Sequence, residues 1–279
     1  MMSSVERIQY FSDEIPSEED ENETKLDVSE VWPAEGRIEA QNISMKYRDG
    51  PLVLKDISFK IGSCNKIGLA GRTGSGKSSI LVALFRMEKL SEGTLLIDGV
   101  DISKVDLRTL RSRLSIIPQD PVMFCSTLRF NIDPFNQFTD EEIWGVLEDV
   151  HMKHTVKEMP KQLQAEITDD GDNLSVGQRQ LICFARALLR KPKIVVLDEA
   201  TAAVDNATDS IIQNMVKEKL KDCTLVTIAH RLHTIMESDK IFVLDKGTLV
   251  EEDTPKKLIA KSDGIFSGMW MQHQLSHHR

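Results

Sequence analysis

In the nine-residue stretch Gly71-Arg72-Thr73-Gly74-Ser75-Gly76-Lys77-Ser78-Ser79, the first eight fit the pattern G-x-x-x-x-G-K-[ST]. Few stretches of this length restrict a fold as tightly. The glycines let the backbone turn sharply and aim N–H groups at an anion. Lys77 sets a cation beside the β- and γ-phosphates of a nucleotide, and the Ser78 hydroxyl suits a magnesium ion. The flanks agree. Lys66–Ala70 predicts a short buried strand, and Ser79–Arg86 predicts a helix. Phosphates would then lie at a helix N-terminus, where the dipole and unpaired N–H groups favour negative charge. Gly71, Thr73, Gly74, Ser75, Gly76, Lys77, Ser78 and Ser79 are the resulting candidates for nucleotide binding.

The rest of the chain supplies strands and helices in an order that suits such a loop. Alternation predicts strands over Arg37–Met45 and Leu52–Ile61, and Gly93–Ile97 runs into an Asp98-Gly99 turn, so an antiparallel sheet is expected beside the loop. Residues from about 121 to 190 carry helical signals, with Thr139/Glu142 and Ser175/Gln178 as two capping boxes. Strands at Lys193–Leu197 and Thr224–Ala229 then alternate with a helix over Asp209–Leu220. A hairpin of Lys240–Leu244 and Thr248–Val250 closes the pattern. The expected fold is α/β: a P-loop NTPase core with a mostly parallel sheet and helices on both faces, plus an antiparallel β subdomain and a helical subdomain.

The formal net charge of −9 on 279 residues is concentrated. Residues 12–30 hold nine carboxylates against Lys25 alone, which leaves the remainder close to neutral and without a basic footprint for nucleic acid. Residues 1–34 therefore read as an acidic, flexible linker and 35–279 as the folded domain. Cys64, Cys125, Cys183 and Cys223 are scattered without a C-x-x-C pair, which fits a reduced setting, and Cys125 and Cys183 read as packing residues. His273, His277 and His278 read as a solvated tail. No apolar run reaches the roughly 18 residues that a membrane span needs. The fragment is expected to be soluble by itself and could still be one piece of a membrane protein.

Two further stretches carry chemistry. Ile194-Val195-Val196-Leu197-Asp198-Glu199 is a buried-strand run that delivers two carboxylates to the carboxyl edge of a sheet, where α/β folds bind ligands. Asp198 would serve the magnesium opposite Ser78, and Glu199 lies where a general base could polarise an attacking water. In Gly171-Asp172-Asn173-Leu174-Ser175-Val176-Gly177-Gln178-Arg179-Gln180, Ser175 and Gly177 at a helix start make a second potential anion site. A simple NTPase needs only one.

Here the chain resembles the ATP-binding cassette (ABC) family, whose signature is Leu-Ser-Gly-Gly-Gln, from about Arg37 onward; Val176 stands where the first signature glycine would be. A β-branched residue is a poor occupant of positive φ, so an ordinary backbone is expected there. The resemblance implies further roles. Gln119 in Ile116-Ile117-Pro118-Gln119-Asp120 would touch magnesium or the attacking water, and Ala202-Ala203-Val204-Asp205 resembles the D-loop. His230 would contact the γ-phosphate, and Tyr47 would stack on adenine. Ser175, Gly177 and Gln178 would close over ATP held by a partner domain.

Trp32–Ile38 and Asp120–Phe135 narrow the likeness to subfamily C, the multidrug-resistance-associated type, and Glu199 with the Val-bearing signature resembles that subfamily's second, C-terminal nucleotide-binding domain. The implied activity is ATP hydrolysis with ATP and Mg2+, coupled to transport. Catalytic residues would be Glu199, His230, Gln119 and Lys77, and metal contacts Ser78, Gln119 and Asp198. Implied partners are a second nucleotide-binding domain and transmembrane domains at the cytoplasmic face of a membrane, the isolated chain being monomeric or weakly dimeric.

An ATP-sensing domain of a channel or channel regulator in the same subfamily is the alternative. A DNA-maintenance ATPase does not fit, because the 121 residues from Lys77 to Asp198 hold no sustained heptads. A GTPase does not fit either, because no Asn-Lys-x-Asp guanine reader occurs.

Overall fold

The phosphate loop leaves the middle of a six-stranded sheet, and that placement follows from how the strands bury both their faces. The structure is a computed structural model that describes residues 4–14, 18, 25–198, 204–229 and 232–277. The first element is a helix, α1 (Ser4–Glu14), with Val5, Ile8, Tyr10 and Phe11 all exposed. Strands β1 (Ile38–Lys46) and β2 (Leu52–Ile61) pair antiparallel, with Ile38 opposite Ile61 and Ala40 opposite Phe59. Next come β3 (Lys66–Ala70), the phosphate loop and α2 (Lys77–Leu84). Strand β4 (Leu90–Ile97) returns to pair with β1, and the Asp98-Gly99 turn, with φ of 48° and 78°, leads into β5 (Val100–Asp101). These strands form a four-stranded antiparallel sheet in the order β2-β1-β4-β5.

Asp106 caps α3 (Leu107–Arg113) by accepting the N–H of Thr109 at 2.8 Å, and β6 (Leu114–Ile117) follows. The segment from 121 to 190 is mainly helical. It holds α4 (Leu128–Ile132), α5 (Asp140–Asp149), α6 (Lys153–Glu158) and α7 (Val176–Leu189). A two-stranded pairing of β7 (Ser126–Thr127) with β8 (Glu166–Ile167) closes the stretch that holds α4, α5 and α6, which the sequence did not announce because the strands are so short. Both expected capping boxes are present. The chain ends with β9 (Ile194–Asp198), α8 (Asn206–Lys219), β10 (Thr224–Ile228), β11 (Lys240–Asp245), β12 (Thr248–Asp253), α9 (Pro255–Ala260) and α10 (Ile265–His277).

The main sheet has the order β12-β11-β3-β10-β9-β6, parallel except for β12. Its central strands are apolar on both sides because both sides are covered. On β9, Ile194 and Val196 face a core shared with α2 and the four-stranded sheet, whereas Val195 and Leu197 face the helical segment. On β11, Phe242 and Leu244 join the first core, and Ile241 and Val243 pack under α9 and α10 with Leu258 and Phe266. Phe242 meets Phe59 at 5.3 Å between ring centroids, so the antiparallel sheet is fastened to the nucleotide core by an aromatic pair.

Two expectations need correcting. Residues 25–34 do not hang free as a flexible linker. The N–H of Leu26 donates to Lys104 O at 2.7 Å, Val28 packs on the first core, and Trp32, 6% exposed, donates Nε1–H to Ile97 O at 3.1 Å. Two well-spaced apolar side chains suffice to dock this strap, though the surrounding carboxylates hide them in a composition average. Cys125, expected as a packing residue, is exposed; Cys183 and Cys223 are buried, and all four cysteines are free thiols.

Candidate nucleotide site

The loop between β3 and α2 owes its shape to backbone contacts. Gly71 approaches β11 so closely that a Cβ there would lie 2.4 Å from Leu244 O and 2.4 Å from Ser75 Oγ. No larger residue fits without moving one of them. Gly76, at φ 107°, is the N-cap of α2 and offers no side-chain cap, so the first N–H groups of the helix are left facing the loop. Lys77 is 7% exposed, and its Nζ donates to Gly71 O at 2.8 Å and to Arg72 O at 3.2 Å. The ammonium is thereby folded back over the loop that would hold phosphates. Ser75 Oγ is buried without a hydrogen-bond partner among the described residues.

Tyr47, Thr73, Gly74, Gly76, Lys77, Ser78 and Ser79 line a single cleft of about 580 Å³, and Tyr47 Oη lies 3.2 Å from Ser79 Oγ. The sequence placed these residues together, and the structure does so too. The cleft also has walls that sequence reading missed: Leu52, Val53 and Lys55 from β2, and Lys246 and Gly247 from the β11–β12 turn. Among the described residues, lysines 55, 77 and 246 line it and no carboxylate does, which suits a polyanion. The Asp-Lys-Gly-Thr turn was legible as a hairpin, but nothing local says that it borders the phosphate loop.

Asp198 ends β9 and pairs in register with Ile228 of β10, which pairs in turn with Leu69 of β3. The carboxylate therefore stands on the same sheet edge as the loop, two strands or about 10 Å away. Gln119 is exposed and follows β6, whose Ile117 pairs with Leu197. Among the described residues, the site thus offers hydroxyls, a half-buried carboxylate and an amide that suit a hydrated divalent cation by donor chemistry. Glu199 and His230 lie outside the described residues, as do Ala202 and Ala203 of the expected D-loop.

Ser175, Gly177 and Gln178 are not in this cleft. Ser175 Oγ accepts the N–H of Gln178 at 3.1 Å, and Gln178 Oε1 accepts the N–H of Ser175 at 2.9 Å. Val176 opens α7 with an ordinary helical backbone, as its β-branched side chain requires. Gly177 packs on Thr208 of α8, where a Cβ would come within 3.0 Å of Thr208 Oγ1; Thr208 Oγ1 in turn donates to Asp205 at 2.7 Å. One buried amide and one half-buried guanidinium link α7 to the segment around Gln119. Gln180 donates Nε2–H to Pro118 O at 3.1 Å. Arg186 donates to Val122 O at 2.7 Å and to Asn131 Oδ1 at 2.9 Å, with burial pulling the guanidinium below the usual arginine range.

Residues 54–202 match the family model described as ABC transporter. The chain is 46% identical to ABC transporter C family member 13 of Dictyostelium discoideum, a match that covers 100% of this chain and 21% of that protein. It is 50% identical to ATP-binding cassette sub-family C member 3 of Rattus norvegicus over 86% of this chain and 16% of that one. A solved bacterial Atm1-family ABC exporter with ATP bound superimposes with a TM-score of 0.85 at 30% identity, covering 97% of this chain and 47% of the exporter. The chain spans about a fifth or less of the length of the curated relatives it matches. With a phosphate loop, a strand-end aspartate and a signature helix on this fold, the chain belongs to the ABC transporter family, as an ATP-binding and ATP-hydrolysing domain of subfamily C.

Proposed function

We propose that this chain is the second, C-terminal nucleotide-binding domain of a subfamily C exporter and that it powers transport through Mg2+-dependent ATP hydrolysis. The observation that carries the reading is the single lysine-lined cleft in which Tyr47, the phosphate loop and the N-terminus of α2 converge, on the sheet edge that Asp198 also occupies. In this reading Tyr47 holds the adenine, the loop amides and Lys77 hold the phosphates, and Ser78, Gln119 and Asp198 serve the metal. Glu199 polarises the attacking water and His230 steadies the γ-phosphate. Glu199 together with the Val-bearing signature supports the assignment to the second domain, which that combination resembles.

Ser175, Gly177 and Gln178 are directed to ATP held by a partner nucleotide-binding domain. Their separation from the chain's own cleft supports this, because a signature that served the same chain would have to line it. Residues 1–34 connect to the transmembrane domains and 35–279 form the nucleotide-binding domain, with 25–34 as its docked edge. The exposed apolar residues Val122, Phe124, Phe130 and Phe135, which follow Gln119, suit a membrane-domain contact at the cytoplasmic face.

Glu199→Gln keeps the size and shape of the side chain and removes the base. In the assembled transporter it should bind ATP with unchanged affinity and lose at least about 100-fold in turnover, the usual share of a general base. A steady-state rate equal to that of the wild type would eliminate Glu199 as the base.

A further inference from the structure

Gly247 lies 170 residues beyond Lys77, yet it touches the phosphate loop through its backbone. Its N–H donates to Ser75 O at 3.0 Å, and its own carbonyl accepts the N–H of Lys55 at 2.8 Å. The turn that presents it is stiff. Lys246 and Gly247 have φ of 48° and 85°, both positive as the tightest hairpin turns require, and Thr248 Oγ1 donates across the turn to Asp245 O at 2.8 Å. The fit leaves no room. A Cβ at Gly247 would lie 2.4 Å from Val53 O, and one at Gly76 would lie 3.2 Å from Val53 O and 3.5 Å from the Gly247 Cα. Leu244 O, just before the same turn on β11, abuts Gly71.

From these contacts we propose that the Lys246-Gly247 turn is a latch for the phosphate loop and that Gly247 is a positioning residue for nucleotide binding. The inference rests on reading the cleft as the phosphate site, and it deepens that reading. A trans peptide keeps its carbonyl and its N–H on opposite sides. Bonding Ser75 O to Gly247 therefore fixes the direction of the Gly76 N–H, one of the loop amides, before any ligand arrives. Lys246, carried on the same turn, adds a cation to the cleft wall. The latch joins residues that no local pattern connects: a loop after β3, the start of β2 and the β11–β12 turn.

The test compares Gly247→Ala with Gly99→Ala and Lys77→Ala, reading the affinity of the 279-residue chain for trinitrophenyl-ATP alongside circular dichroism and thermal unfolding. Gly99 has a similar φ of 78°, but a Cβ there meets nothing within 4 Å, so it carries the backbone strain without the contact. Gly247→Ala should bind at least about 10-fold more weakly, equivalent to about 1.4 kcal/mol. Gly99→Ala should stay within about twofold. A folded Gly247→Ala protein that binds like Gly99→Ala, while Lys77→Ala loses binding, would overturn the latch and leave the phosphate site standing. Wild-type affinity in Lys77→Ala would instead overturn the site and the latch with it. If Gly247→Ala does not fold, hydrogen exchange on the wild-type chain decides. The Gly247 amide should exchange at least about 10-fold more slowly with saturating ATP, in line with the same free energy. An unchanged rate would overturn the proposal.

Discussion

Ser175→Ala separates two roles that one hydroxyl can play. Within the chain, Ser175 Oγ caps α7 by accepting the Gln178 N–H at 3.1 Å, and Gln178 returns a bond at 2.9 Å. Loss of an N-cap serine costs about 1 kcal/mol, within a range of roughly 0.5–2. Both residues lie at the surface, where water can satisfy part of what is lost, so the lower half of the range applies. For a domain of this size each kcal/mol moves the midpoint by about 2–4 °C, so calorimetry should show a fall of about 1–4 °C.

Gln178→Ala should cost a similar amount. The double variant should cost less than the sum, because both substitutions break one reciprocal cap. ATP affinity of the isolated chain should stay within about twofold, well short of the 1.4 kcal/mol that a tenfold change requires. ATP turnover with a partner domain present should collapse in the same variant. A tenfold loss of ATP affinity in the isolated chain, well below its midpoint, would refute the separation of the signature from the chain's own cleft.

Two further outcomes follow from contacts outside the cleft. Trp32→Phe keeps an aromatic ring but removes the Nε1–H that donates to the Ile97 carbonyl, and should lower stability by about 1 kcal/mol in urea titration; an unmoved midpoint would mean that the strap is not held by this bond. Burial pushes the Glu251 carboxyl up, but the Phe266 and Ile265 N–H groups and the Lys261 ammonium outweigh it and hold its pKa below the ordinary glutamate value. A carboxylate depressed in the folded state stabilises above its unfolded pKa and loses that contribution as pH falls through the folded value. The gap in thermal midpoint between wild type and Glu251→Gln should therefore be constant near neutral pH and close as pH falls through the acid range where carboxylates titrate, and a gap that persists to the acid limit would contradict the assignment.

Much of the site was readable because its signals are local. The phosphate loop, the two capping boxes and strands β2 and β3 stand where sequence spacing put them. The helix after the loop begins two residues before the expected Ser79, because Gly76 in a left-handed conformation is itself the cap. The docked strap was missed because only Val28 and Trp32 signal it within an acidic run. Lys55, Lys246 and Gly247 were missed for a different reason. Their place beside the cleft depends on which strands become neighbours, and β2 and the β11–β12 turn meet the loop only after β11 has paired with β3.

The sequence by itself determined the phosphate loop, the strand that carries Asp198 and the helix that carries Ser175, since steric limits, caps and side-chain periodicity act over a few residues. The tertiary structure decided the order β11-β3-β10-β9. That order sets Asp198 two strands from the loop, turns alternate residues of β9 into two different cores and brings Gly247 against Ser75. Such choices rest on burying both faces of one sheet, a condition that segments more than a hundred residues apart must meet together and that no one of them encodes alone.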